Sequence, residues 1–151
     1  MTELNKAAEL TPPPGFYSRL RGKLGVSGIR TGDELASLVE KRLPVTTIKS
    51  LVRGGLSDAE VYQLIVPRRT LAHRIARHQP LSKQESDKAV RVARISAMAE
   101  QVFGEPERAW RWLRKSKSRF DGRPPIDMLA TEAGARLVEE MIVQIDHGIF
   151  A

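Results

Sequence analysis

LSDAEVYQLIVPRRTLAHRIARHQPLSKQESDKAVRVARI, Leu56–Ile95, carries the same signal twice. Ser57-Asp58-Ala59-Glu60 and Ser82-Lys83-Gln84-Glu85 each set a serine three residues before a glutamate. In such a capping box the serine hydroxyl accepts the glutamate's backbone N–H, and the carboxylate accepts the serine's own N–H. Each box therefore predicts a helix start. The first opens a helix over Asp58–Ile65, which Val66-Pro67 breaks. A second helix follows at once, from about Arg68 to Arg77, and Gln79-Pro80 stops it. The second box opens a long helix running to Phe103, with Gly104 as its C-cap. Two short helices joined by so brief a break are the helix-turn-helix arrangement. Its first helix crosses the DNA backbone and its second enters the major groove.

The flanks also read as helices. TPPPGF, Thr11–Phe16, separates a short tail from the rest. Thr31 or Asp33 caps a helix whose apolar stripe is Leu35, Leu38, Val39 and Leu43, and Pro44 ends it. A short helix runs from Thr46 or Thr47 to Arg53 and closes on Gly54-Gly55. Beyond Gly104, Pro106 suits the first turn of a helix through Leu113. Asp121-Gly122 makes a turn, Pro125–Leu129 a short helix, and Thr131 caps the last helix. That helix has an apolar side of Leu137, Val138, Met141, Ile142, Ile145 and Ile149. The long helix is apolar over an unusually wide face, which predicts contacts on more than one side. β-branched alternation is nearly absent, so the fold class is all-α.

Composition narrows the function classes. The chain has 151 residues, no cysteine and three histidines, His73, His78 and His147. Disulfides, thiol nucleophiles and Cys-zinc sites are excluded, no two-histidine metal motif appears, and no cofactor is expected. The start, MTELNKAAEL, lacks the apolar core of a signal peptide, and no apolar run approaches the roughly 18 residues of a membrane helix. A cytoplasmic protein is expected. His147 has acids near it in Asp146, Glu139 and Glu140, but no nucleophile–base–orienter set accompanies them, so an enzyme is not expected.

The net charge of +7 is uneven. Residues 66–80 contain four arginines and no acid, whereas residues 124–151 hold five acids and one base. On the second helix of the pair, Leu71 and Ile75 are expected to face the core. Arg68, Arg69, Thr70, His73, Arg74 and Arg77 remain as the DNA-binding candidates. Arginine pairs bidentately with guanine, and threonine contacts a phosphate or a thymine methyl. One feature opposes this arrangement. The turn usually offers glycine where φ is positive; here either that position falls on the β-branched Ile65 or the turn is built around Val66-Pro67.

Together with VFG (Val102–Gly104), Ala109-x-x-Trp112-Leu113, GRPPIDML (Gly122–Leu129), Thr131-x-x-Gly134-Ala135 and the terminal HGIFA, the chain from about Gly32 onward resembles antitoxins of the Xre/MbcA/ParS type. The resemblance implies a Cro-like helix-turn-helix region and a small helical C-terminal toxin-binding domain. It also implies a RES-domain toxin as partner, one that consumes NAD⁺. The antitoxin is expected to block that toxin's active site and to repress its own operon through operator DNA, acting as a homodimer. The N-terminal helices and the long helix are the dimerisation candidates. The expected division is residues 1–55 as an N-terminal helical region, 56–104 as the helix-turn-helix with the long helix, and 105–151 as the toxin-binding domain.

The resemblance also bears on the basic run Arg108–Arg123, which has seven Arg/Lys against the single acid Asp121. It favours a loop on the toxin-binding domain over a second nucleic-acid site. Trp110 and Trp112, two apart on a helix, point to opposite sides, so at most one fills the core easily; Trp112-Leu113 is expected in the core rather than at an interface. The acidic last helix and the apolar tail are the toxin-binding candidates: Glu139, Gln144, His147, Ile149, Phe150 and Ala151. The rival is a stand-alone helix-turn-helix regulator with a C-terminal interaction domain.

Overall fold

The computed structural model describes residues 12–148, and among them every regular element is helical. The α-helices are α1 Phe16–Leu24, α2 Gly32–Glu40, α3 Thr47–Arg53, α4 Asp58–Leu64, α5 Arg68–Ala76, α6 Lys83–Phe103, α7 Pro106–Arg114, α8 Pro125–Met128 and α9 Glu132–Asp146. A 3-10 turn at Ser118–Phe120 lies between α7 and α8.

Both capping boxes form. The N–H of Glu60 donates to the Ser57 hydroxyl at 3.2 Å while the Ser57 N–H donates to the Glu60 carboxylate at 2.9 Å. Ser82 and Glu85 repeat the exchange at 3.0 and 2.9 Å. Thr31 and Thr131 cap α2 and α9 in the same sense. Gly104, at φ 81°, ends α6 in the left-handed conformation expected of it.

α6 is the axle of the molecule. Its wide apolar face is used on all sides, with α1, α2, α3 and α4 along one part and α7 and α9 along another. Ala89, Ala93, Ala97 and Ala99 are buried in it, and these small side chains let neighbouring helices approach closely. One continuous core results, with Leu20, Leu24, Leu43, Leu56, Leu81, Ile95, Leu113, Leu129 and Ile142 shielded from solvent.

Several expectations are corrected. Ile75 does not face the core: it is 54% exposed, whereas Leu71 is buried. The inner side of α5 turns toward Arg74, and Ile75 lies about 100° further round the helix, outside the contact. Leu137 is 40% exposed for the same reason, because α9 packs on Gly134, Ala135, Val138, Met141 and Ile142. The stripe on α2 ends before Leu43, because the helix stops at Glu40 and Arg42 turns left-handed at φ 67°. Leu43 is buried from the loop instead. The objection at Ile65 also falls. Its φ is −120°, and the turn is made by Val66 and Pro67 with no left-handed residue.

Arg42 holds the turn at the start of α6. Its Nε donates to the Leu81 carbonyl at 2.8 Å and its Nη2 to that of Pro80 at 3.3 Å. Leu43 N–H donates to Ser86 Oγ at 2.8 Å, and Leu81 N–H to the Leu43 carbonyl at 2.9 Å. These bonds fix the link between α5 and α6, and so the angle at which α5 projects.

Candidate nucleic-acid and partner interfaces

α5 is anchored on one side and open on the other. Leu71 is buried, Thr70 is half-buried, and Arg74 turns inward to Glu85. Arg74 Nε and Nη2 donate to the two Glu85 oxygens at 2.9 and 3.1 Å. Burial opposes ionisation of Glu85, but the Arg74 fork and the Ser82 N–H outweigh it and hold the carboxyl below its ordinary value. The opposite side carries Arg68, Arg69, His73 and Arg77, all exposed, with Ala72 and Ala76 between them. Of the six residues expected from sequence, these four share the open face, Thr70 is half-buried, and Arg74 turns to Glu85 of α6. The face is cationic and small-centred, so a helix of this kind can sit deep in a groove and offer arginine forks to base edges.

The C-terminal helices are bolted to the start of the helix-turn-helix. Trp110 is buried, and its indole N–H donates to the Gly54 carbonyl at 2.9 Å. Gly55 has φ 125°, and a Cβ there would overlap the indole, so only glycine admits this approach. Arg114 stacks on the same ring with its guanidinium carbon 4.9 Å from the centroid. It also donates to the Gly55 carbonyl at 2.6 Å and to the two Glu60 oxygens at 2.8 and 3.0 Å. Burial works against the Glu60 charge, yet Arg114 and the Ser57 N–H together hold its carboxyl below the usual range. Beneath the ring lies a buried ion pair between Lys23 and Glu100, joined from the rim by Arg19. Trp112 is only half-buried and braces Phe103 at 5.4 Å between ring centroids. The two indoles thus point to opposite sides; Leu113 is buried as expected, but Trp110 rather than Trp112 is the core indole, because its N–H finds the Gly54 carbonyl.

α9 presents the other candidate face. Arg91 and Arg94 of α6 both reach Glu132 in its first turn, at 3.1 and 3.3 Å. Burial disfavours the Glu132 charge, but these two arginines hold its carboxyl low. Further along, Glu139 and Gln144 line an open groove of about 560 Å³ with Arg94, Arg136 and Val143. Gln144 accepts from Arg119 at 3.2 Å, which ties the basic loop to α9. His147 is exposed at the C-cap of α9. Leu137 and Val143, at 40% and 41% exposure, are large apolar side chains left open on this helix. Sequence periodicity assigned Leu137 to the core and did not single out Val143. Ile149, Phe150 and Ala151 lie outside the described residues. Among the described residues no group of histidines and acids is placed to hold a metal, and no helix is long and apolar enough to cross a membrane.

The chain matches two family models. Residues 34–94 match the antitoxin Xre-like helix-turn-helix domain, and residues 98–148 match the antitoxin Xre/MbcA/ParS C-terminal toxin-binding domain. It is 39% identical over 144 residues to an Antitoxin Xre of Pseudomonas putida, covering 93% of this chain and 91% of that protein. It is 26% identical over 161 residues to a Prs ADP-ribosylating antitoxin of a Sphingobium species, covering 99% and 97% of the two chains. An Antitoxin Xre of Yersinia enterocolitica is also 26% identical, over 144 residues, with 93% and 97% covered.

Proposed function

The chain belongs to the Xre/MbcA/ParS antitoxins, with an Xre-like helix-turn-helix domain and a C-terminal toxin-binding domain, and on that premise we propose that it neutralises an NAD⁺-consuming RES-domain toxin and represses its own operon. The observation that carries the first half is α9. A helix that has already buried one full face leaves Val143 in solvent in a groove of mixed charge, and Leu137 exposed on its other flank. Val143 with Glu139 and Gln144 gives this groove an apolar centre between polar walls, which suits a protein partner. Glu139, Gln144 and His147 belong to that surface in this reading, and Ile149, Phe150 and Ala151 are assigned to the same contact from the sequence alone. In this assignment α9 and the tail cover the mouth of the toxin's NAD⁺ site, and residues 105–151 form the toxin-binding unit. One relative's name supports the chemistry: a Prs ADP-ribosylating antitoxin belongs with a reaction whose ADP-ribose comes from NAD⁺.

The second half rests on α5. Arg68, Arg69, His73 and Arg77 are the base- and phosphate-contacting residues, with Thr70 and Arg74 supporting the helix from behind. Symmetric half-sites about one helical turn apart require a dimer. α2 buries none of its side chains completely, and the groove of about 1110 Å³ between it and α6 is floored by Tyr17, Leu35, Val39 and Val90. That apolar floor is the self-association face. Leu35→Asp with Val39→Asp converts the dimer to monomer in light scattering, and an unchanged mass rejects this face.

The deciding experiment measures cellular NAD⁺ after inducing the toxin encoded beside this chain. Co-expression of the full chain preserves NAD⁺, and the chain truncated after Asp146 does not. If the toxin leaves NAD⁺ intact on its own, the NAD⁺-consuming assignment is wrong. If the truncated chain is folded and fully protective, the tail has no part in neutralisation.

A further inference from the structure

We infer that α7 extends the DNA-binding surface: Arg53, at the end of α3, and Arg111, on α7, form a pair that grips the phosphate backbone of the duplex beside the Gly54-Gly55 turn. This inference rests on the operator-binding proposal above. Both side chains are exposed and line one open groove of about 520 Å³ with the two glycines. Among the described residues no carboxylate lies within ion-pair distance of either, although Glu107 stands on the same wall. Arg114, one turn beyond Arg111, is already neutralised by Glu60. It therefore serves as the bolt, and Arg111 is the free cation that the bolt positions.

The placement follows from helix-turn-helix geometry. The first helix of the pair crosses the backbone while the second lies in the groove. α4 has seven residues and spans about 10 Å, so its leading edge and the glycine turn before it stay close to the phosphates that α4 crosses. α7 is pinned to this turn at two carbonyls, by Trp110 on Gly54 and Arg114 on Gly55. Arg111 is carried to the same edge, and a planar guanidinium suits phosphate oxygens. A neighbouring groove also contains Arg53 and Gly54, but its Arg19 and Lys23 are paired with Glu100, so the free charge stays at Arg53 and Arg111. Three further bases of the run are held elsewhere, while Arg108 and Lys115 are exposed. Arg119 bonds Gln144, Arg123 bonds the Asp127 carbonyl, and Lys117 lies over Trp112. The run thus divides at Arg114 between a DNA-facing arginine and a loop that belongs to the C-terminal unit.

The test is a salt titration of binding to a labelled duplex from immediately upstream of the chain's own reading frame, with an unrelated duplex of equal length beside it. The full chain is compared with Arg53→Ala/Arg111→Ala, with Arg53→Lys/Arg111→Lys and with Arg123→Ala. Each lost phosphate contact lowers the slope of log K against log salt by about 0.9, so the double alanine variant loses about 1.8 and the other two variants lose little. The loss is equal on both duplexes, because phosphate contacts carry no sequence information. The melting temperature stays at the wild-type value. An unchanged slope in the double alanine variant overturns the inference while wild-type preference for the upstream duplex is retained. If the wild-type chain prefers neither duplex, the operator proposal itself fails and takes this inference with it.

Discussion

Glu60 closes the capping box of α4 and in the same position receives the Arg114 guanidinium from α7, at 2.8 and 3.0 Å. One carboxylate thus starts the helix-turn-helix and docks the C-terminal unit on it. Glu60→Ala removes both functions and is expected to cost more than Arg114→Ala. The arginine is partly solvated, so its loss costs about 1 kcal/mol, and the glutamate's about 2 kcal/mol, by typical values for caps and charged hydrogen bonds. Urea denaturation of both variants checks the order, and a smaller cost for Glu60→Ala than for Arg114→Ala would overturn it.

Acid should loosen these joints together. Glu60, Glu85 and Glu132 all have folded-state carboxyl pKa values below their ordinary value of 4.5. A lowered carboxylate binds fewer protons folded than unfolded, so its stabilisation is complete above the unfolded value and drains as pH falls through the folded one. Stability is therefore flat from about pH 7 down to the carboxylate range and then falls steeply. Glu85→Gln should be less stable at neutral pH and shallower in that fall. A denaturation series over pH measures both, and parallel curves for variant and parent would exclude Glu85 as a contributor.

Gly55 permits the seating of Trp110. Gly55→Ala adds a methyl that overlaps the indole at a left-handed φ of 125°. A loss of more than about 2 kcal/mol is expected, in line with combined strain and overpacking. Trp110→Phe keeps most of the ring and loses the bond to the Gly54 carbonyl, for about 1 kcal/mol. Tryptophan fluorescence of Gly55→Ala should report a wetter indole, and an unshifted spectrum would contradict the tight seating.

Arg69 and Arg74 separate by mechanism. Arg69→Ala lies on the open face of α5 and should weaken operator binding by roughly tenfold or more without loss of stability, the scale of a good base contact. Arg74→Ala breaks the fork on Glu85, and its effect should appear first in the melting temperature. Gel shifts and calorimetry on the two variants distinguish them. Comparable losses of stability would show that α5 lies differently.

Leu137→Asp with Val143→Asp places charge on the exposed apolar pair of α9. The fold should tolerate it, because both side chains already face solvent. Toxin neutralisation should fall by at least an order of magnitude, since a buried, unpaired charge at an interface is costly. Circular dichroism together with NAD⁺ protection in cells decides it, and intact protection would move the contact off this face.

Local signals made most of the helices legible. The two serine–glutamate boxes, Thr31, Thr131, Pro106 and Gly104 are each read from neighbours within four residues, and each is found in place. What failed depended on partners far along the chain. Ile75 has the spacing of a core residue, but the inner side of α5 is filled by the Arg74–Glu85 pair. Arg42 adopts a left-handed backbone with no local cue, because its side chain finds carbonyls nearly forty residues away. The DNA candidates were readable as a cationic helix, whereas the sorting of Arg68, Arg69, His73 and Arg77 from Thr70 and Arg74 required knowing where Glu85 lies. The seam at Gly54, Gly55, Trp110 and Arg114 has no periodic signature, since it joins a glycine pair to a tryptophan more than fifty residues later.

α6 runs unbroken from the helix-turn-helix to the C-terminal helices and gives its side chains to both. A chimaera that joins the DNA-reading half of one family member to the toxin-recognising half of another must therefore be spliced inside a single 21-residue helix. Its two parents must also agree on the glycine that admits the indole and on the acid that accepts the arginine. The helix-turn-helix domain and the toxin-binding domain are therefore packed as one block, and recombinants that exchange only one of the two should fold poorly unless this seam travels with them.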